Sequence, residues 1–250
     1  SAEGCATVPD PQVTCNSSAD VLVWTHGNDR RPYRLGGNNA TILCRDVDND
    51  GDVDLLSTTI KHWWAGSSSD PTELLLNDGA GLSFSRPGNE ATGLTREHSG
   101  ATWDDGDMTA ALFDFDNDGW TDVYIGSSDY PGARGLLYRQ VAPGRFEPVA
   151  VDDGIHHNRS HGVAVADFDR DGDLDVVVGH SRARCGGASD CYETSQIRFF
   201  ENQLGGNFVQ IALEGAGGSN RMAVGARVRV TAGGLTQQQQ VSAGHGHYGA

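Results

Sequence analysis

The chain has 250 residues, with 34 Asp+Glu against 18 Lys+Arg and a formal net charge of −16 at pH 7. It carries no basic stripe and no basic–aromatic interleaving, which excludes a nucleic-acid footprint, and no apolar run approaches the roughly 18 residues needed to span a bilayer. Glycine is abundant (34 residues), apolar runs are short and sustained 3.6-residue periodicity is missing, so the expected class is all-β.

Residues 1–20 read as an N-terminal segment in which Cys5 and Cys15 bracket a Pro-containing loop, a spacing that allows a local disulfide. No secretory leader is legible, and Ser1 reads as a mature or recombinant end. Val21 to Tyr33 offers strands for a unit without an acidic loop. A larger repeat domain is expected over residues 21–212.

One nine-residue pattern, Asp-x-Asp-x-Asp-Gly-x-x-Asp, then occurs three times. It runs from Asp46 to Asp54, from Asp114 to Asp122 and from Asp167 to Asp175. The loops hold five, four and five carboxylates, leaving 20 acidic residues elsewhere against the 18 basic ones of the whole chain. The charge is therefore concentrated in the loops rather than spread as a field for steering partners. Carboxylates at alternate residues, with glycine at the sixth for a sharp turn, suit a hard cation that takes about 6–8 oxygen ligands. Ca2+ at three sites is the expected cofactor. Side chains at positions 1, 3, 5 and 9 are the expected ligands: Asp46, Asp48, Asp50 and Asp54; Asp114, Asp116, Asp118 and Asp122; Asp167, Asp169, Asp171 and Asp175. Position 7 (Asp52, Trp120, Asp173) is expected to ligate through its backbone carbonyl, because an indole at that position offers no oxygen.

An EF-hand closes such a loop on Glu at position 12 between two helices. Here position 12 is Ser57, Ile125 or Val178, and short β-prone apolar stretches flank each loop, such as Val163-Ala164-Val165-Ala166 before and Val176-Val177-Val178 after. Strand–loop–strand units follow. Farther on, each unit carries an apolar strand, a polar turn and a glycine-led strand ending in Phe: Leu74 to Phe84, Leu136 to Phe146 and Arg198 to Phe208. Loop-to-loop spacings of 68 and 53 residues fit propeller blades or a related stacked β array. The excess in the first unit places surface insertions around Lys61 to Asp70 and Glu97 to Asp107.

Cys185 and Cys191 bracket five residues and also allow a local disulfide, whereas Cys44 is expected to be a buried free thiol in a strand. Disulfides and millimolar calcium both favour an extracellular setting. His156, His157 and His161, and His245 with His247, are expected to be exposed or locally hydrogen-bonded rather than metal-bound. Trp63-Trp64 is expected to be blade core, as aromatics near strand ends usually are, with stacking against a sugar face as the alternative. No nucleophile motif is present, and carboxylate pairs for glycoside chemistry among Glu73, Glu90, Glu97, Asp104, Asp105 and Asp107 depend on separations that sequence does not give.

These units resemble the FG-GAP/VCBS repeats of calcium-binding β-propellers, as in integrin α-chain heads and many bacterial surface proteins. Ser219 to Ala250, with its N-R-x-x-x-G-A-R-V-R-V run, is similar to the start of the ASPIC/UnbV domain that follows such repeats in cartilage acidic protein-like secreted proteins. The resemblance covers roughly Asn38 to Ala250. It implies a β-propeller or propeller-like array, a partial β-rich ASPIC/UnbV segment over residues 213–250, and an extracellular or cell-surface binding, adhesion or scaffold role. Three loops are fewer than such propellers usually carry, so a fragment, or an open or unusually small array, is expected. A protein or glycan ligand, or self-association through exposed sheet edges, would supply the partner. A non-catalytic module is the expected function; a self-assembling structural subunit and a polysaccharide-acting enzyme are the alternatives.

Overall fold

A computed structural model of the chain describes residues 39–64, 70–79, 83–98, 100–150, 154–187, 189–194 and 196–241. The expected Cys5–Cys15 disulfide, the strands of Val21 to Tyr33, and His245 with His247 lie outside the described residues.

The described chain is almost entirely antiparallel β. The first blade orders β1 (Asn39–Arg45), β2 (Asp54–His62), β3 (Glu73–Asn77) and β4 (Phe84–Ser85) side by side, and β5 (Asp104–Gly106) pairs with the far end of β2. The second blade is β6 (Ala110–Phe113), β7 (Asp122–Ile125), β8 (Leu136–Ala142) and β9 (Arg145–Pro148). The third is β10 (Ser160–Ala166), β11 (Asp175–His180) and β12 (Ile197–Phe200). A separate hairpin pairs β13 (Arg227–Ala232) with β14 (Leu235–Gln240). Among the described residues the one α-helix, α1 (Asn89–Thr92), ends on Gly93 in the left-handed region.

The blades stack face to face in an open array, with β6 lying against both β1 and β10. The two-residue period of strands explains how blade 2 serves both neighbours. Ala110, Val123, Ile125 and Tyr138 point toward Leu43, Val47, Leu56 and Leu74 of blade 1. Their sequence neighbours Ala111, Tyr124 and Leu137 point the other way, toward Val163, Val176 and Val178 of blade 3. Both faces of the middle blade are thus core, which is why its strands read as continuous apolar runs rather than as polar–apolar alternation.

Four expectations need correction. Cys44 does carry a free thiol, but it is exposed: on β1, Thr41 and Leu43 face inward, so Cys44 falls on the outer side with Ile42. Trp63 and Trp64 are 49% and 66% exposed because they sit in the turn beyond the end of β2 rather than in the ladder. The insertion around Lys61 is partly sheet, since Lys61 and His62 pair with Asp105 and Asp104. The third Phe-ending strand is not formed: Phe208 lies in an irregular segment and is 56% exposed. Its counterpart Phe146 is buried on β9. Among the described residues β12 is therefore an open sheet edge.

Candidate metal centre

Each Asp-rich loop joins the first two strands of a blade, and all three are built alike. Position 4 (Asn49, Asn117, Arg170) has φ of 60°, 56° and 69°, and position 6 (Gly51, Gly119, Gly172) has φ of 101°, 92° and 98°. Asn tolerates the left-handed region, and glycine carries no steric penalty there. This double reversal turns the carboxylates inward. The position-1 carboxylate accepts the position-6 N–H (Asp46 from Gly51, 3.0 Å; Asp114 from Gly119, 2.8 Å; Asp167 from Gly172, 3.2 Å). The position-5 carboxylate accepts the position-7 N–H at 2.9 Å in every loop, from Asp52, Trp120 and Asp173.

Position 9 has a second task that the spacing alone did not reveal. Asp54 accepts the N–H of Val47 at 2.8 Å and that of Asn77 at 2.9 Å. Asp122 accepts Phe115 N–H at 2.9 Å and Gln140 N–H at 2.8 Å. Asp175 accepts Phe168 N–H at 3.0 Å and Asn202 N–H at 2.9 Å. In each blade this buried carboxylate ties its own loop to the third strand. A carboxylate has about four acceptor sites, so two remain for a cation.

Ligand oxygens converge within 4.8 Å in three sets: Asp46, Asp48 and Asp50; Asp114, Asp116 and Asp122; Asp167, Asp169 and Asp175. Asp118 and Asp171 fall outside these tightest sets, and so does Asp54 in the first loop. In each loop one carboxylate oxygen is buried without a hydrogen-bond partner: Asp46 Oδ1, Asp116 Oδ1 and Asp167 Oδ1. Such an orphaned acceptor is costly unless something positive meets it. Burial, with help from Asp50, pushes the Asp46 carboxyl up to about 6; burial pushes Asp54 to about 6 and Asp122 to about 7. These carboxylates crowd together without enough internal positive charge, and the donor set is all oxygen. It fits a hard divalent ion such as Ca2+.

A model of FG-GAP-like repeats matches residues 46–125 and 114–178, more than half of the chain. The chain belongs to the FG-GAP-like repeat family. Residues 216–250 match the model of the ASPIC and UnbV family. No curated protein matches the chain significantly.

FG-GAP repeats are β-propeller blades, and here each Asp-rich loop marks one blade. The loops also meet one another. Asn49 donates to the Gly119 carbonyl at 3.1 Å, and Asn117 to Asp173 Oδ1 at 2.7 Å, so each position-4 Asn reaches the next blade's loop. That contact, together with Gly205 N–H at 2.6 Å, occupies the Asp173 side chain. Arg139 pairs with Asp116 at 2.6 Å and Asp118 at 3.0 Å, placing a guanidinium against the second loop. The hairpin of the ASPIC/UnbV segment lies over the first two loops: Gln238 donates to the Gly51 carbonyl at 2.9 Å, and Leu235 and Gln237 pack on Gly119.

The remaining candidates fall elsewhere. Cys185 and Cys191 form a disulfide. His157 is fully buried and bonds Ser160 Oγ at 3.0 Å, with burial depressing it to about 4, so it is neutral. Glu73 pairs with Arg86, Asp107 with Arg96 and Thr72, and Asp105 with His98 and Arg96. These acids are engaged in ion pairs across the first blade.

Proposed function

We propose that the chain is an extracellular, calcium-stabilised propeller-type binding module. Three Ca2+ ions would be held by Asp46, Asp48, Asp50 and Asp54, by Asp114, Asp116, Asp118 and Asp122, and by Asp167, Asp169, Asp171 and Asp175. The backbone carbonyls of Asp52, Trp120 and Asp173 complete the sets. The observation that carries this reading is the orphaned buried oxygen repeated in every loop beside carboxyls held above their ordinary range. A bound divalent ion supplies positive charge there. The residues around it then do the mechanical part: position 9 ties the loop to the third strand, and the position-4 Asn ties one loop to the next.

Calcium outside cells is abundant enough for sites of modest affinity, and the Cys185–Cys191 disulfide is of the kind kept by oxidising compartments. Among the described residues no helix is long and apolar enough to cross a membrane. We read the module as non-catalytic, with a protein or glycan as ligand. Each site filled to a hundredfold over its Kd adds about 2.7 kcal/mol to folding stability. Thermal unfolding in calcium and in excess EGTA tests this: a large drop on chelation is expected, and an unchanged midpoint would refute it.

A self-assembling structural subunit is the second reading. The open edge of β12, with Ile197 and Phe199 exposed, favours it. Light scattering on the eluted protein separates the two, since a strictly monomeric species excludes assembly.

A further inference from the structure

The ends of the strands remote from the Asp-rich loops carry a different chemistry. β2 leaves the first loop at Asp54 and finishes at His62, while β7 leaves the second at Asp122 and leads on to Tyr130. His62 and Asp104 are paired across the β2–β5 ladder, so both project from one face. Asp104 Oδ1 lies 2.5 Å from His62 Nδ1, which fixes the tautomer with Nδ1–H donating to the acid. His62 Nε2 then faces the Tyr130 hydroxyl at 3.4 Å. Trp64 lies flat on the imidazole, with centroids 4.9 Å apart and planes at 9°, while Tyr130 meets it edge-on at 5.2 Å. The Arg184 guanidinium covers the Tyr130 ring at 4.3 Å and pairs with Asp129 at 3.1 Å.

A core tryptophan would bury its indole. Trp64 is braced on one face by His62 yet stays 66% exposed. The brace holds a large apolar plane at the surface; an acid and a phenol flank the bracing imidazole, and a guanidinium covers that phenol.

We propose that this cluster binds a neutral pyranose-containing glycan. The apolar face of a sugar ring stacks on Trp64. Its hydroxyls donate to Asp104 and exchange hydrogen bonds with the Tyr130 hydroxyl and Arg184, a few directed polar groups around an apolar platform. His62 is a positioning residue that holds both Trp64 and Tyr130. The Arg184 guanidinium is already paired with Asp129, and Asp104 adds a carboxylate beside the bracing imidazole, a local balance that disfavours uronate and sulfate groups, so the glycan is neutral. This rests on reading the chain as a binding module, and it names the ligand class.

Calorimetry on the calcium-loaded full chain with chitotetraose, cellotetraose, mannotetraose, trigalacturonate and a proline-rich peptide tests it. At least one neutral tetrasaccharide is expected to bind with a Kd of about 0.1–1 mM, with Trp64→Ala weakening it by roughly tenfold or more and Trp63→Ala, outside the stack, by less than about twofold. His62→Gln is expected to weaken binding less than Trp64→Ala. The proposal is overturned if no neutral oligosaccharide binds, if Trp64→Ala binds normally, or if the uronate or the peptide is the sole ligand. The melting midpoint of Trp64→Ala in calcium must match the parent, which keeps misfolding from imitating lost binding. Calcium content of the same sample separates the two readings: a calcium-loaded, glycan-blind protein defeats only this inference, whereas a calcium-free protein defeats the one beneath it.

Discussion

The Gln140 side-chain amide donates to the backbone carbonyl of Val47, 93 residues earlier, at 3.0 Å. One blade on, Asn202 does the same to Phe115 at 2.6 Å. Both amides also bond the position-8 carbonyl of their own loop, Thr121 or Leu174, and both backbone N–H groups bond the position-9 Asp. In blades 2 and 3 one amide residue thus locks its own loop and sets the spacing to the blade before it. The burial of position 2 follows: Val47 is fully buried beneath blade 2, while Phe168, with no described blade beyond it, is 52% exposed.

Gln140→Ala is therefore expected to destabilise the protein by about 3 kcal/mol, because it strands the Val47 and Thr121 carbonyls and the Gly144 N–H in a buried place. Urea unfolding measures it, and a loss under about 0.5 kcal/mol would show that water replaces the amide.

Position 9 and position 5 are expected to separate under chelation. Asp54→Ala removes two backbone hydrogen bonds and lowers the melting midpoint even in EGTA. Asp50→Asn, at an exposed position, costs stability chiefly when calcium is present. Melting curves of both variants with and without calcium check this, and equal losses in EGTA would contradict it.

The pH dependence follows from carboxyls raised to about 6 at Asp46 and Asp54 and about 7 at Asp122. Without metal the folded chain binds protons more tightly than the unfolded chain between about pH 4 and 7, so its stability falls as pH rises through that window. Calcium needs the ionised carboxylates, so in calcium the trend reverses and stability falls as pH drops below about 6. Of the melting midpoints at pH 5 and 7.5, the one at pH 7.5 is expected to be the higher in calcium and the lower in EGTA, with the two conditions converging at pH 5; the same pH order in both would contradict this.

The hairpin β13–β14 rests on the glycines of the first two loops through Gln238 and Leu235. Ordering those loops is expected to order the hairpin. Hydrogen exchange of residues 235–240 should slow on adding calcium to the chelated protein; exchange unchanged by calcium would show that the hairpin is independent of the loops.

The three loops, their strand context and the blade period were legible because they depend on short-range spacing: alternate carboxylates, glycine at position 6 and period-two apolar stretches. The Cys185–Cys191 disulfide was legible for the same reason. The task of Asp54, Asp122 and Asp175 was not, because their backbone partners Asn77, Gln140 and Asn202 lie 23, 18 and 27 residues away at differing distances. A signal was nonetheless present: each copy places an Asn or Gln at, or within two residues after, the apolar stretch of its third strand. The open third blade was hidden because Phe208 follows the same local pattern as Phe146, and pairing with β12 is a tertiary outcome. Trp63 and Trp64 read as core because aromatics near strand ends usually are, and only the end of β2 at His62 puts them at the surface.

Metal content of the purified chain, measured after dialysis against micromolar free calcium and again after EGTA, tests the central claim most directly. Close to one calcium per Asp-rich loop is expected before chelation and none after. A chain that folds with its native sheet content and carries no calcium under the first condition would contradict the account.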